Sequence, residues 1–248
     1  MPRQIPIDDS ILTALAEGEI DVKGQFVRGY NYTFLVTLRH KGKEHLAVYK
    51  PQKGEQPLWD FPEASLAGRE RAAYLVSEAL GFGLVPLTVL RDGPFGPGSL
   101  QRYVDHDPDY HYFSFEPADR QRLRPLALFD LLVNNADRKG GHVMVEKRTR
   151  RLYAIDHGLC FHEQEKLRTV VWDFAGEPVP EALLTALADL RSKLAGAGTA
   201  ASGLRGELAA YLTGTELAAL ESRLEALLNK PVYPHPPKER RAFPYPPL

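Results

Sequence analysis

Four short segments of this chain carry side chains suited to charged chemistry, and they come in an informative order. A lysine closes an apolar run, Val48-Tyr49-Lys50-Pro51. A glutamate follows within Gly68-Arg69-Glu70-Arg71-Ala72-Ala73-Tyr74. A polar loop then reads Asn134-Asn135-Ala136-Asp137-Arg138-Lys139-Gly140-Gly141-His142, and an aspartate sits in Ala154-Ile155-Asp156-His157-Gly158. Phosphoryl transfer needs few covalent participants but careful positioning and charge neutralisation. A strand lysine can hold nucleotide phosphates, and a helix glutamate can hold that lysine. One aspartate can orient an attacking hydroxyl, and a second ligand set can hold a bridging metal. Taken singly, each segment has a plainer reading. Lys50 could be a solvated strand end, and Glu70, between Arg69 and Arg71, could lie on an exposed helix face. Asp137 and Arg138 could pair locally in a turn, and Asp156 could merely end a strand. The four in this order, with suitable elements between them, favour the chemical reading.

Those elements can be read from periodicity and punctuation. Residues 8–16 suit a short capped helix stopped by Gly18. Residues 24–38 suggest two strands around a turn at Gly29-Tyr30-Asn31, and residues 45–50 a further strand ended by Pro51. After a loop over 51–64, the spacing of Leu66, Ala73, Val76 and Leu80 predicts a helix over 65–80. Strands are expected at 85–91 and 99–104, separated by the turn-rich stretch 92–98. A buried helix is expected over 120–135, a hairpin from 143–147 and 151–155, and amphipathic helices over 180–195, 203–212 and 216–228. Thr213 and Glu216 make a capping box before the last. Residues 231–248 hold seven prolines and suit only an extended tail. The hairpin matters most, because pairing 143–147 with 151–155 brings His142 and Asp156 together as two potential metal ligands. Asp137, five residues before His142, can reach the edge of the same cavity.

The composition is that of an ordinary globular protein, with 44% hydrophobic and 25% charged residues among 248. A net charge of −1 gives no global field toward nucleic acid or an anionic membrane. The single cysteine, Cys160, cannot form an internal disulfide or a thiolate cluster, which fits a cytoplasmic protein. Asp8, Asp9, Glu17 and Glu19 near the start do not suit a signal peptide, and no run approaches the ~20 apolar residues of a membrane helix.

These segments resemble the atypical kinase superfamily that contains phosphatidylinositol 3-/4-kinases and HipA-like kinases. The likeness is strongest to short actinobacterial phosphatidylinositol-kinase-like proteins of unassigned function. It rests on Asn-Ala-Asp-Arg at 135–138, Ile-Asp-His-Gly at 155–158 and the lysine strand at 48–51, and it runs through about residues 24–176. It implies an α+β, two-lobed protein-kinase-like fold: a sheet-rich N-lobe over 1–104, a mainly helical C-lobe over 105–230, and the tail. By resemblance, Lys50 contacts ATP phosphates, Glu70 pairs with it, Asp137 is the catalytic aspartate and Asp156 binds metal. Gly24, Gly29 and Asn31 belong to a segment covering the phosphates, while Gln101, Tyr103 and Val104 lie in an interlobe hinge facing adenine. Relatives usually carry Asn where His142 stands, so this chain departs from them at a metal position. Imidazole suits Mn²⁺ better than Mg²⁺ there, with an acid limb near the ordinary histidine pKa of about 6.5. The expected activity is ATP- and metal-dependent phosphotransfer to a hydroxyl of an unidentified protein, small-molecule or lipid-headgroup acceptor. The alternatives are a nucleotide-binding pseudokinase or a nucleotidyl transferase.

Overall fold

The computed structural model describes residues 9–26, 32–196 and 203–248. It begins with helix α1 (Asp9–Glu17) and strands β1 (Glu19–Gln25), β2 (Phe34–His40) and β3 (Lys43–Pro51). Helix α2 (Leu66–Ala79) precedes β4 (Thr88–Gly93) and β5 (Gly96–Arg102). All five strands form one antiparallel sheet in the order β1-β2-β3-β5-β4. Burial alternates over residues 47–51 of β3, so Tyr49 enters the core while Lys50 points to the opposite face, toward α2. β5 can lie against the end of β3 because Gly98 opposes Pro51. A Cβ at residue 98 would stand 2.4 Å from the Lys50 carbonyl oxygen.

The remainder is mainly helical: α3 (Pro117–Gln121), α4 (Arg124–Val133), α5 (Glu181–Ala195), α6 (Leu204–Ala209) and α7 (Gly214–Asn229), with the hairpin β6 (Val143–Val145) and β7 (Leu152–Ala154). One apolar cluster runs through both parts, from Val36, Ala47 and Val76 to Phe129, Leu187 and Leu220. This is an α+β fold with a sheet-rich N-terminal part and a helical C-terminal part. Among the described residues no helix is long and apolar enough to cross a membrane.

Two expectations change in detail, and of the two readings of Glu70 the exposed helix face falls away. The single helix expected over 120–135 is two helices, because Pro125 lies in the first turn of α4 and its ring suits a helix start rather than an interior. The strands expected at 85–91 and 99–104 shift to a tight hairpin ending at the Gly93–Gly96 pair. Helix α2 does not expose the face carrying Arg69 and Glu70. Both are buried, since α2 is wedged between the sheet and the C-terminal helices, where Arg69 pairs with Glu216 of α7 and donates to the Cys160 carbonyl. The capping box at Thr213 and Glu216 forms as expected.

The proline-rich tail lies along the helical part. The Tyr233 hydroxyl donates to the Arg124 carbonyl at 3.0 Å, and Arg240 donates to the Leu167 carbonyl at 2.6 Å. Ala242 accepts from Thr169 N–H and the Trp172 indole, and Pro247 accepts from Gly140 N–H within the polar loop.

Candidate active site

Lys50, at the end of β3, reaches across to α2. Its Nζ lies 2.5 Å from Glu70 Oε1 and 2.9 Å from Asp156 Oδ1. Burial opposes the ammonium charge, but Asp156 and Glu70 outweigh it and hold the lysine pKa above its ordinary value. Lys50 is therefore a fixed cation at neutral pH, aimed into the space between sheet and helices.

Asp156 follows β7 with φ at +62°, in the left-handed region, which Asp tolerates better than most residues. The neighbouring ammonium of Lys50 keeps its carboxyl well below the usual range, with His142 adding to the effect. The hairpin register, Val143 opposite Ala154, is continued by a hydrogen bond from Ile155 N–H to the His142 carbonyl. His142 Nε2 consequently comes within 3.3 Å of Asp156 Oδ2. Burial lowers the His142 pKa to about 4, so the ring is neutral at physiological pH. That moves its protonation well below the limb near 6.5 expected from the residue type alone.

Asp137 sits in the loop after α4. Its N–H donates to Asn135 Oδ1 at 2.9 Å, and its carboxylate faces Lys139 Nζ at 3.3 Å. Burial raises its pKa to about 6, with Lys139 pulling down and Asp156 pushing up. A carboxylate near that value can accept a proton around neutrality.

The residue that ties these parts together is Arg138, which no spacing pattern singled out. It does not pair with Asp137 in the turn. Its fully buried guanidinium binds both oxygens of Asp130 on α4, donates to the Ile155 carbonyl at 2.6 Å and reaches His157 Nε2 at 2.7 Å. By gripping the residues on either side of Asp156, Arg138 fixes the left-handed turn there and holds it against the loop bearing Asp137. Asp130 and His157 were also missed. An apolar-flanked Asp inside a helix, eight residues before an Arg, was the available signal.

The other sequence candidates stand as follows. Gly24 lies at a register shift in β1, opposite Leu35 and exposed. Gly29 and Asn31 fall outside the described residues. Gln101 turns into the sheet and donates to Thr88 Oγ1 at 2.8 Å, so its side-chain amide N–H is committed to the fold. Tyr103 N–H donates to the Leu46 carbonyl. Val104 packs with Met144, Tyr153 and Ile155 in a small apolar cluster apart from the main core. Lys166 of the segment after Asp156 is paired with Asp60 at 2.8 Å.

Among the described residues, no three His, Cys, Asp or Glu side chains gather as a metal site. The donor set at the cleft is one ionised carboxylate and one neutral imidazole. It fits a divalent ion completed by phosphate oxygens and water, as nucleotide-bound metals commonly are.

Residues 89–195 match the family described as phosphatidylinositol 3- and 4-kinase. That match takes in Asp137, His142 and Asp156 and begins after Lys50 and Glu70. The chain is 42% identical over 267 residues to Protein Rv2133c of Mycobacterium tuberculosis, covering 94% of this chain and 93% of the relative. It belongs to the phosphatidylinositol 3-/4-kinase-like family of atypical kinases. A second relative, phosphatidylinositol 4-kinase gamma 1 of Arabidopsis thaliana, is 28% identical over 112 residues, covering 41% of this chain and 18% of the plant protein. The crystal structure of the Helicobacter pylori proinflammatory kinase CtkA shares the fold, with a TM-score of 0.51 and 13% identity, over 88% of this chain and 94% of that one. The family supports a kinase-like phosphotransferase.

Proposed function

We propose that this protein is an ATP- and metal-dependent phosphotransferase acting on a hydroxyl of a protein, small molecule or lipid headgroup. The observation that carries the reading is the convergence of Glu70 and Asp156 on Lys50 within salt-bridge distance, 20 and 106 residues away from it in sequence. Lys50 would bind the ATP phosphates, with Glu70 keeping its ammonium in place. Asp156 and His142 would hold Mg²⁺ or Mn²⁺, which when bound neutralises phosphate charge. His142 can serve because its ring is neutral and its Nδ1 is held only by a 3.4 Å contact from Lys139 N–H. Moving the ring proton to Nδ1 would free the Nε2 lone pair and would give up that contact, since two N–H donors would then face each other. Asp137 would orient the acceptor hydroxyl and take its proton as the oxygen forms a bond to the γ-phosphorus. The bond from that phosphorus to the β–γ bridging oxygen breaks, and ADP leaves with the electron pair. Lys139, beside Asp137, is placed to balance charge on the transferred group. Gln101, Tyr103 and Val104 would form the nucleobase edge of the cleft, with Val104 and its apolar neighbours beneath the base. The boundaries near residues 104 and 230 would separate the two lobes and the tail.

Incubation with ATP and either metal, followed by nucleotide product analysis and intact-mass measurement, tests the reading. ADP formation with a phosphoryl adduct or phosphorylated acceptor supports it. Diphosphate release with an adenylyl adduct would replace it with nucleotidyl transfer. Tight ATP binding without either product would make the protein a non-catalytic regulator.

A further inference from the structure

Glu70 is almost wholly buried, and only its Oε1 meets Lys50. Its Oε2 has no hydrogen-bond partner among the described residues, and neither does Nδ1 of the fully buried His157. These two orphaned atoms face each other across 3.8 Å. A buried polar atom without a partner carries a desolvation penalty of roughly 1–3 kcal/mol, so two such atoms in register call for an explanation.

The ring's protonation follows from its other side. An arginine can only donate, so the 2.7 Å contact from Arg138 Nη2 makes His157 Nε2 an acceptor. The proton of the neutral ring is then on Nδ1, directed at Glu70 Oε2. Arg138 is itself immobilised by Asp130, and the edge of the His157 ring packs against Phe129 with centroids 5.6 Å apart. A rigid chain of contacts thus runs from α4 through Arg138 and His157 to the carboxylate that holds Lys50.

We propose that His157 is a positioning residue for the nucleotide-binding lysine. Its Nδ1–H holds the second oxygen of Glu70, so that the first stays aimed at Lys50. The aspartate turn and α2 are then coupled through a side chain as well as through Lys50 itself. The small gap closes to a hydrogen bond by a slight rotation of the Glu70 carboxylate. This inference rests on the assignment of Lys50 to the phosphates, but its first test does not.

The rate at which Lys50 is acetylated in the nucleotide-free protein, read by mass spectrometry, reports whether its ammonium is held. Glu70→Gln should speed labelling. His157→Phe keeps the bulk and removes both polar contacts, and should speed labelling about tenfold. His157→Asn retains a donor near the Nδ1 position and should remain within about twofold of the parent. Adding His157→Phe to Glu70→Gln should produce little further increase, since the two act through one contact. Labelling of His157→Phe at the parent rate, or independent effects of the two substitutions, would overturn the proposal. If His157→Phe does not fold, as judged by circular dichroism, His157→Leu compared with His157→Asn carries the same contrast. A second arm measures ATP kinetics. The KM of His157→Phe should rise about tenfold, equivalent to about 1.4 kcal/mol, with a smaller change in kcat. A parent protein that binds no ATP, while the labelling pattern holds, would remove the nucleotide reading and leave the Glu70–His157 relation standing.

Discussion

Replacing Asp137 by Asn should abolish phosphotransfer and at the same time stabilise the fold at neutral pH. Burial raises the Asp137 pKa from 3.8 to about 6, against the attraction of Lys139. The native state therefore holds a proton between those values that the unfolded chain has released. Stability must fall as pH rises through this window, and the full penalty is present above about pH 6. At about 1.4 kcal/mol per tenfold change in proton affinity, the displacement sets a ceiling on the order of 3 kcal/mol. The side chain is 28% exposed, so water reduces that figure, and roughly 1–2 kcal/mol is the expected gain from the neutral amide. For a chain of this size that is about 2–8 °C in Tm. Thermal unfolding of parent and Asp137→Asn at about pH 8 and about pH 4 measures it. The variant should melt higher at the upper pH, and most of the difference should vanish at the lower, where the parent carboxyl is protonated. In parallel, the parent kcat should decline as pH falls through about 6, because a protonated carboxyl cannot accept the hydroxyl proton. A variant that melts lower than the parent at the upper pH, or a difference independent of pH, would refute the reasoning.

Lys50→Ala and Glu70→Ala should each weaken ATP binding, and their effects should be non-additive by about 0.5–3 kcal/mol in a double-mutant cycle; simple additivity would mean that another acid holds the lysine. Arg138→Lys should cost roughly 3–5 kcal/mol in denaturant unfolding, because a lysine cannot reproduce the forked contacts to Asp130, Ile155 and His157 and leaves Asp130 under-compensated; parent-like stability would remove Arg138 as the organiser of the site. His142→Asn should shift metal preference from Mn²⁺ toward Mg²⁺ while leaving the acid limb near pH 6 in place, since that limb belongs to Asp137 and the His142 pKa is about 4. Identical metal titrations for parent and variant would show that His142 is not a ligand.

Much of this was legible in the sequence because it depends on local pattern. The apolar run closed by Pro51 marks β3 and puts Lys50 at its end. The period-two pairing of residues 143–145 with 152–154 brings His142 to Asp156, a contact fixed by register alone. Thr213 and Glu216 cap α7 through neighbouring backbone. Tertiary structure decided what depends on partners distant in sequence. Arg69 and Glu70 look like an exposed helix face until the sheet and α7 enclose them, and burial then turns Glu70 into the holder of Lys50. Arg138 looks like a partner for Asp137, yet its buried guanidinium pairs with Asp130, and from there it grips both sides of the Asp156 turn. The displaced pKa values of Asp137 and His142 follow from burial and from charges brought in by folding, which residue type and spacing cannot supply.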